Sequence, residues 1–286
     1  MSDQIYLKEF KSYLEEEKHA SENTCQAYLR DLRHLSEFCH GELLSVDGER
    51  LNMYLATLKE AGRSEATVAR NVASLKAFYH YCCKLGYLER NPASGLIAER
   101  ISQKVPEILN GREVELLLEQ PQCTDLKGYR DKAMLELLYA TGIRVSELVS
   151  LKISDVDLQN GTVFCGGSKA RTIPLSPSAV KAVTEYTAFI RKQMIRNLDE
   201  KILFVNVNGD PMTRQGFWKI LKAYQKKAGI QKNITPHTLR HSFAAHRLEK
   251  GEDMKSVRMK MGRSELSASG IYADYVRVPK EKTKKR

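Results

Sequence analysis

The first ninety residues of the chain carry apolar side chains at the spacing of an α-helix. One series is Ile5, Leu7, Phe10, Tyr13 and Leu14, and a second is Tyr28, Leu32, Leu35 and Phe38. Residues three and four positions apart share one face of a helix, so each series predicts a buried face. Ser21 and Ser64, each followed by a glutamate, are typical of helix starts. This part of the chain is therefore expected to form a small helical bundle.

The segment over residues 91–106 indicates a connection between two domains. Prolines bracket it, it is short of aromatic residues, and a helix does not continue through proline. At 286 residues the chain is long enough for two domains, each with its own core. The sequence accordingly predicts a helical domain over residues 1–95, a linker over 96–106 and a second domain over 107–286.

The second half of the chain combines helices with one short β-hairpin. Residues 113–118 and 129–139 have helical patterns, and residues 161–175 alternate about a Gly-Gly-Ser turn. Residues 280–286 are dense in basic charge and lack apolar side chains, so a disordered tail is expected. The predicted fold class is mainly α with a small β-hairpin or sheet, in which a helical domain precedes an α+β domain.

The charge of the chain favours a polyanionic partner. With 46 Lys and Arg against 35 Asp and Glu, the formal net charge is +11, which favours nucleic acid over an anionic membrane surface. No run approaches the roughly 20 apolar residues that span a bilayer, and the start of the chain lacks the apolar core of a signal peptide, so a cytoplasmic protein is expected. The six cysteines form no C-x-x-C pair, which predicts reduced, mostly buried thiols and no metal site.

Residues 235–241 place a histidine and an arginine on one helix face. Pro236 suits the first turn of a helix, and His237 and Arg240 then lie three residues apart. The planar fork of arginine binds two phosphate oxygens at once, and histidine exchanges a proton near neutral pH. The pair suits phosphate chemistry, and the alternative that spacing alone leaves open is an ordinary surface pair.

A second segment, residues 140–148, places an arginine at the end of an apolar helix. Arg144 follows Gly142, and Glu147 comes one helical turn later. An arginine held by a carboxylate can act as an anion clamp. Spacing alone favours the simpler alternative, a solvated Arg–Glu pair.

A third segment, residues 261–272, ends in a tyrosine among small residues that leave room around its ring. A phenol becomes a nucleophile when cations lower its pKa or a base takes its proton. With thirteen tyrosines in the chain, composition alone gives Tyr272 no priority over Tyr275.

These segments give the sequence a resemblance to the tyrosine recombinase family, in particular to Xer-type recombinases and related integrases. The resemblance runs nearly end to end. In the first half it rests on residues 21–24, Tyr28, residues 31–32, 67–70, 75–79 and 91–93. In the second half it rests on the Thr-Gly-Ile-Arg, His-x-x-Arg and Ile-Tyr motifs, which follow the family's order and approximate spacing.

The resemblance implies a helical core-binding domain, a catalytic domain, and double-stranded DNA as the partner. It implies that Tyr272 attacks the scissile phosphate and leaves a 3′-phosphotyrosyl link and a free 5′-hydroxyl, without ATP, metal or cofactor. Arg144 and Arg240 would stabilise charge on the non-bridging oxygens, and His237 would assist proton transfer from the tyrosine.

Two positions depart from the family's pattern. The family's general acid is a lysine in the hairpin turn, and Gly166 stands at that position, three places before Lys169. Either Lys169 acts from a shortened turn, which we favour, or the acid is missing. Arg263 stands where the family has histidine or tryptophan; arginine can donate to phosphate but cannot exchange a proton near neutral pH. Lys169 and Arg263 complete the predicted site.

The leading hypothesis is an active recombinase that assembles on DNA as a homo-tetramer, or as a hetero-tetramer with another recombinase. The alternative is a DNA-binding accessory or regulatory protein of the same fold, with its chemistry impaired by the changes at Gly166 and Arg263. A nicking and relaxing activity like that of a topoisomerase is a third possibility. The remaining histidines, His241 among them, are interpreted as structural or surface residues.

Overall fold

The structure is a computed structural model that describes residues 3–99, 107–167, 169–262 and Tyr272. The chain divides into two compact units, Met1–Lys104 and Val105–Arg286. Most of the predicted linker, residues 100–106, and the predicted basic tail, residues 280–286, lie outside the described residues. The two units are considered separately below.

In its described part, the first unit is a helical bundle. Its α-helices are α1 (Asp3–Glu16), α2 (Glu22–Phe38), α3 (Gly48–Glu60) and α4 (Glu65–Lys84). The side chains of Ser21 and Ser64 accept hydrogen bonds from the backbone N–H groups of Thr24 and Thr67, and so cap α2 and α4. These helices confirm the predicted bundle and both predicted helix starts.

Aromatic rings and one buried ion pair hold this bundle together. The rings of Phe10 and Phe78 meet edge to face with their centroids 5.3 Å apart, which packs α1 against α4. Asp31 on α2 is 2% exposed and accepts two hydrogen bonds, of 2.9 and 2.7 Å, from the guanidinium of Arg70 on α4. The ion pair therefore fixes α2 against α4.

The second unit combines helices with a small antiparallel sheet. Its helices are α5 (Gly111–Glu119), α6 (Leu126–Thr141), α7 (Val145–Ser150), α8 (Pro177–Glu185), α9 (Arg191–Met194), α10 (Arg214–Lys227), α11 (Pro236–Glu249) and α12 (Met254–Met261). A π-helical turn, Tyr186–Ile190, joins α8 to α9. The predicted helical segments at residues 113–118 and 129–139 lie in α5 and α6, as expected.

The sheet has the strand order β1 (Val156–Asp157), β2 (Thr162–Cys165) and β3 (Arg171–Pro174). Strands β2 and β3 form the predicted hairpin, with Val163 paired to Ile173 and Cys165 paired to Arg171. The two-residue strand β1 was not part of the prediction, because a strand of this length has no alternation to detect. The mainly helical fold class with a small sheet is confirmed.

Helix α6 lies at the centre of the second unit and is buried on several sides. Met134, Leu135, Leu137 and Leu138 have no exposed surface and belong to the main core of the unit. Helices α8 and α11 both pack against α6. Because α6 is surrounded in this way, its carboxyl end at Thr141 has a fixed position for the turn that follows.

All six cysteines are free, and Cys25, Cys39, Cys82 and Cys165 are buried, as the sequence predicts. Within the described ranges, no helix has the length and apolar character needed to cross a membrane.

Candidate active site

The site begins at the turn between α6 and α7, where Gly142 ends α6. Its φ is +61°, a left-handed conformation that side-chain-bearing residues rarely adopt, and a Cβ placed there would lie 2.3 Å from the ring of Phe243. The carbonyl of Gly142 accepts a hydrogen bond from Nη1 of Arg240. Because Gly142 has no side chain, the chain can turn tightly next to Phe243 of α11, and Arg144 then stands directly before α7.

Arg144 stands directly before α7 and contacts Glu147. Its backbone N–H donates to Oε2 of Glu147 at 2.7 Å, and its Nη1 lies 3.9 Å from Oε1. The closer charged partner of Glu147 is Arg171 on β3, which donates from Nη1 and Nη2 at 2.8 and 3.0 Å. Glu147 therefore binds Arg171 in a two-pronged contact and holds Arg144 mainly through its backbone, which differs from the predicted simple Arg144–Glu147 pair.

The charge state of Glu147 follows from these contacts. Burial acts to raise its pKa, but the hydrogen bonds from Arg171 and from the backbone of Arg144, together with the two positive charges, outweigh burial and lower it. Glu147 is therefore a carboxylate at neutral pH. It neutralises part of the positive charge of the two arginines, and the Arg144 side chain is 25% exposed.

Helix α11 carries the histidine and arginine of the second motif in two different environments. Thr235 caps the helix and Pro236 occupies its first turn, as predicted. His237, in the first turn, is exposed, whereas Arg240 is 1% exposed and donates from Nη2 to the carbonyl of Met261 at 2.6 Å. His237 can meet a ligand from solution, and Arg240 ties α11 to the end of α12.

Three arginines converge where α12 ends. Gly262 ends this helix with φ +76°, and a Cβ placed there would lie 3.3 Å from Cζ of Arg171 and 3.5 Å from Nη1 of Arg144. Nε of Arg171 also donates to the carbonyl of Lys260 at 2.5 Å. With Arg240 bound to the neighbouring carbonyl of Met261, the structure brings Arg144, Arg171 and Arg240 together around one helix end. Such a group of guanidinium ions suits an anion.

Tyr272 is 1% exposed and packs into a cluster formed by α11 and α12, with Phe243, Leu248 and Val257. Its hydroxyl is hydrogen-bonded to Nδ1 of His241. Tyr272 thus lies beside the helix that carries His237 and Arg240. Tyr275, the other tyrosine considered, lies outside the described residues.

Lys169 is exposed at the end of the hairpin loop, and its carbonyl accepts a hydrogen bond of 3.2 Å from Nη1 of Arg171. Gly166 and Gly167 in the same loop are exposed too, and Gly167 has φ +88°. This hydrogen bond attaches one end of the loop, at Lys169, to Arg171, which is two residues further along the chain. Arg263, the remaining predicted residue, lies outside the described residues.

Two residues with contacts in the site were not singled out by sequence reasoning. Arg171 was noted only as part of the hairpin resemblance, and His241 was interpreted as structural or surface. His241 follows His237 by one helical turn, and their ring centroids are 6.5 Å apart. That spacing, next to Arg240, was the available signal, because residues four apart share a helix face. Among the described residues, no group of three or more His, Cys, Asp or Glu could hold a metal ion.

Comparisons with known proteins cover both units. The model described as "Phage integrase family" matches residues 107–277, and that described as "Phage integrase, N-terminal SAM-like domain" matches residues 7–85. The tyrosine recombinase XerD of Staphylococcus haemolyticus (strain JCSC1435) is 37% identical over 272 residues, which cover 93% of this chain and 92% of the relative. The same protein of Staphylococcus aureus (strain N315) has the same identity and coverage.

Solved structures share the fold. The XerA recombinase is 27% identical with a TM-score of 0.54, and covers 94% of this chain and 92% of its own. The Tn1549 transposon integrase in complex with circular intermediate DNA is 22% identical with a TM-score of 0.74, and covers 97% and 96%. XerH bound to its palindromic difH substrate is 24% identical with a TM-score of 0.72, and covers 94% and 81%. On the family match and on the identity to XerD across nearly the whole chain, this protein belongs to the phage integrase family of tyrosine recombinases.

Proposed function

We propose that the chain is a site-specific DNA recombinase that cuts and rejoins strands through a covalent 3′-phosphotyrosyl link at Tyr272. The observation that carries this proposal is the meeting of three motifs that are far apart in the sequence. Nη1 of Arg144 lies 3.5 Å from where a Cβ on Gly262 would stand, and Arg240 on α11 donates to the carbonyl of Met261 at the same end of α12. Met261 belongs to the cluster that contains Tyr272. A pentacoordinate phosphate carries extra negative charge, and fixed cations stabilise it without reorganising during the reaction.

In the proposed reaction the phenolic oxygen of Tyr272 attacks the scissile phosphorus, and the bond from phosphorus to the 5′-oxygen breaks. Arg144 and Arg240 would stabilise the charge on the non-bridging oxygens, and the exposed His237 would assist proton transfer from Tyr272. Arg240 would act from beneath, held by the carbonyls of Gly142 and Met261. The energy of the broken bond is kept in the phosphotyrosine, so rejoining needs no ATP.

Lys169 is proposed as the general acid that protonates the leaving 5′-oxygen. The exposed position of Lys169 and the attachment of its carbonyl to Arg171 support this role. A substrate with sulfur in place of the 5′-bridging oxygen tests it, because a thiolate leaves without a proton. Lys169→Ala should cleave the oxygen substrate slowly and the sulfur substrate at the rate of the unmodified protein. Slow cleavage of both would assign Lys169 to DNA binding.

Arg263 is proposed as an additional phosphate donor at the position where the resemblance to the family implies histidine or tryptophan. Arg263→His is expected to maintain or raise the cleavage rate. A sharp loss would indicate that the arginine has become part of a different arrangement of the site.

The proposed partner is a double-stranded recombination site bound by four protomers, either of this chain or of this chain with a second recombinase. XerH and the Tn1549 integrase were each solved on DNA, and the positive net charge of +11 suits the same ligand. Because lysine and arginine contacts to phosphate release counterions, binding should weaken steeply with salt. An enzyme with this substrate is expected in the cytoplasm.

The decisive experiment uses a nicked suicide duplex that carries the cognate site, recovered from the flanks of the encoding element, and denaturing electrophoresis. The unmodified protein should form a protein–DNA adduct, and Tyr272→Phe should form none while it still binds the duplex. Tyr139→Phe is the matched control, because Tyr139 also bonds to a histidine of α11 but lies at a different place. Tyr275→Phe should behave like the unmodified protein.

Two results would contradict the proposal. Loss of the adduct in Tyr275→Phe, with retention in Tyr272→Phe, would identify Tyr275 as the nucleophile. Specific binding without any adduct, alone or with a partner recombinase, would support a DNA-binding accessory protein instead.

A further inference from the structure

The guanidinium of Arg171 binds three separate segments of the second unit. Its Nη1 and Nη2 donate to the two carboxylate oxygens of Glu147 on α7 at 2.8 and 3.0 Å, and its Nε donates to the carbonyl of Lys260 on α12 at 2.5 Å. Nη1 also donates to the carbonyl of Lys169 at 3.2 Å, in the loop between β2 and β3. One side chain therefore ties this loop to α7 and to α12.

These contacts direct Arg171 toward the protein rather than toward DNA. Its side chain is 10% exposed, against 25% for that of Arg144. A guanidinium has five N–H donors in one plane, and four hydrogen bonds to protein acceptors engage most of them. The carboxylate of Glu147 also balances its charge at contact distance. Arg171 is therefore suited to hold other groups in place.

We propose that Arg171 positions Lys169 for proton transfer to the leaving 5′-oxygen, by fixing the backbone of Lys169 to α7 and α12. The inference rests on the proposed function of Lys169 as the general acid and adds a residue that acts through it. In cleavage, the ammonium of Lys169 gives one proton to the 5′-oxygen as the bond from that oxygen to phosphorus breaks, and a neutral amine remains. In rejoining, the amine takes the proton back from the attacking 5′-hydroxyl. Arg171 neither gains nor loses a proton in either direction.

The place of Lys169 in the loop makes this contact available. Lys169 lies two residues before Arg171, the first residue of β3, whereas Gly166 directly follows Cys165, the last residue of β2. The side chain of Arg171 spans the short separation and reaches the carbonyl of Lys169. An acid at the β3 end of the loop can thus be held by the first residue of that strand.

An anchor on the backbone matters because a lysine side chain is long and flexible. Its ammonium stands at the end of a four-carbon stem. Lys169, Gly166 and Gly167 are all exposed, so burial contributes little to holding the loop. Proton transfer needs the two heavy atoms within about 2.6–3.2 Å of each other, and a misplacement of about 1 Å can cost about 10²-fold in rate. Fixing the carbonyl of Lys169 limits the positions that its ammonium can reach.

The test compares Arg171→Lys with Arg191→Lys in single-turnover cleavage of two nicked suicide duplexes, one with oxygen and one with sulfur at the 5′-bridging position. Lysine keeps the charge but lacks the planar fork that binds several acceptors at once. We expect Arg171→Lys to cleave the oxygen substrate about 10²-fold more slowly. It should cleave the sulfur substrate at nearly the rate of the unmodified protein, because a thiolate leaves without a proton.

The matched control is Arg191, another arginine that ties two segments of the second unit together. It is 4% exposed and donates to the carbonyls of Glu200, Ile202 and Leu203. None of these residues belongs to the proposed site. Arg191→Lys should lower the thermal stability and keep the cleavage rates of both substrates. A purely structural role for Arg171 would instead slow both substrates equally.

A double substitution gives a second measurement that does not depend on sulfur. If Arg171 acts through Lys169, adding Arg171→Lys to Lys169→Ala should slow cleavage of the oxygen substrate little further, because the effects of coupled residues are not additive. Independent effects would multiply.

Three results would overturn the inference: equal slowing of both substrates by Arg171→Lys, unchanged cleavage of the oxygen substrate, or multiplied effects in the double variant. Glu147→Gln replaces Arg171→Lys if the latter does not fold, because it removes the carboxylate from the same contact. If the unmodified protein forms no adduct, the proposed function fails and the inference with it. Rescue by sulfur in Lys169→Ala but not in Arg171→Lys refutes the inference alone.

Discussion

Replacing Gly142 by alanine tests whether the turn after α6 sets the geometry of the site. The added Cβ would lie 2.3 Å from one carbon of the Phe243 ring and 2.8 and 2.9 Å from two others. Real Cβ atoms do not approach other atoms this closely, so either the ring or the turn has to move. Phe243 is buried in the same cluster as Tyr272, which leaves its ring little room.

The expected cost has two parts. A residue with a Cβ in the left-handed region costs about 1–2 kcal/mol, and overpacking a buried side chain costs a further 1–3 kcal/mol or so. Gly142→Ala should therefore lower the free energy of unfolding of the second unit by about 2–5 kcal/mol.

The matched control is Gly229→Ala, in the same unit. Gly229 has φ +66°, close to that of Gly142, and a Cβ there would meet nothing within 4 Å. Its substitution carries the backbone cost alone, about 1–2 kcal/mol. The difference between the two variants measures the collision with Phe243.

Urea unfolding followed by tryptophan fluorescence is the assay. Trp218 is the single tryptophan of the chain and lies in α10, so its emission reports the second unit. Equal losses of stability in Gly142→Ala and Gly229→Ala would refute the close packing against Phe243. Because the carbonyl of Gly142 holds Arg240, Gly142→Ala should also slow cleavage in the folded protein, and Gly229→Ala should not. Unimpaired cleavage by Gly142→Ala would show that the turn does not position the arginine.

Three other substitutions have specific expected outcomes. Burial acts to raise the pKa of Glu147, but hydrogen bonds from Arg171 and the Arg144 backbone lower it overall. Glu147 therefore stabilises the second unit above pH ~4.3, and this contribution is lost as the pH falls further. Glu147→Gln should remove that acid dependence in unfolding followed by fluorescence. Burial lowers the pKa of His246, so the second unit should lose stability as pH falls below ~6.5, and His246→Asn should flatten this decline. Asp31→Asn weakens the ion pair with Arg70 and should cost the first unit about 1.5–3 kcal/mol, measured by circular dichroism in urea.

Much of the fold could be predicted from periodicity and from the residues at element ends. Ser21, Ser64 and Pro236 stand where α2, α4 and α11 begin, because their side chains or fixed φ angles suit those positions regardless of the rest of the fold. Strand β1 has two residues and is held by pairing with β2, a contact made across several intervening residues. Local patterns carry no signal for such a strand.

Some residues of the candidate site could be selected from the order of the family motifs rather than from periodicity. Arg144, Arg240 and Tyr272 were selected through motif order, and the structure brings the first two to the end of α12. Spacing could not show that Glu147 binds Arg171 more closely than Arg144, since Arg171 lies 24 residues away on β3. Contacts between distant elements depend on how the elements pack, which a local pattern does not contain.

The same argument explains why His241 was missed and what its position implies. A histidine on a helix face is usually a packing or surface residue, and the local signal that set His241 apart from His246 was its place one turn after His237 and next to Arg240. The two residues lie on one helix and both bond to a tyrosine hydroxyl, yet one tyrosine belongs to α6 and the other is the candidate nucleophile. The difference between the two histidines lies in the partner that tertiary packing supplies. It is therefore measurable only by exchanging one histidine at a time while the other remains.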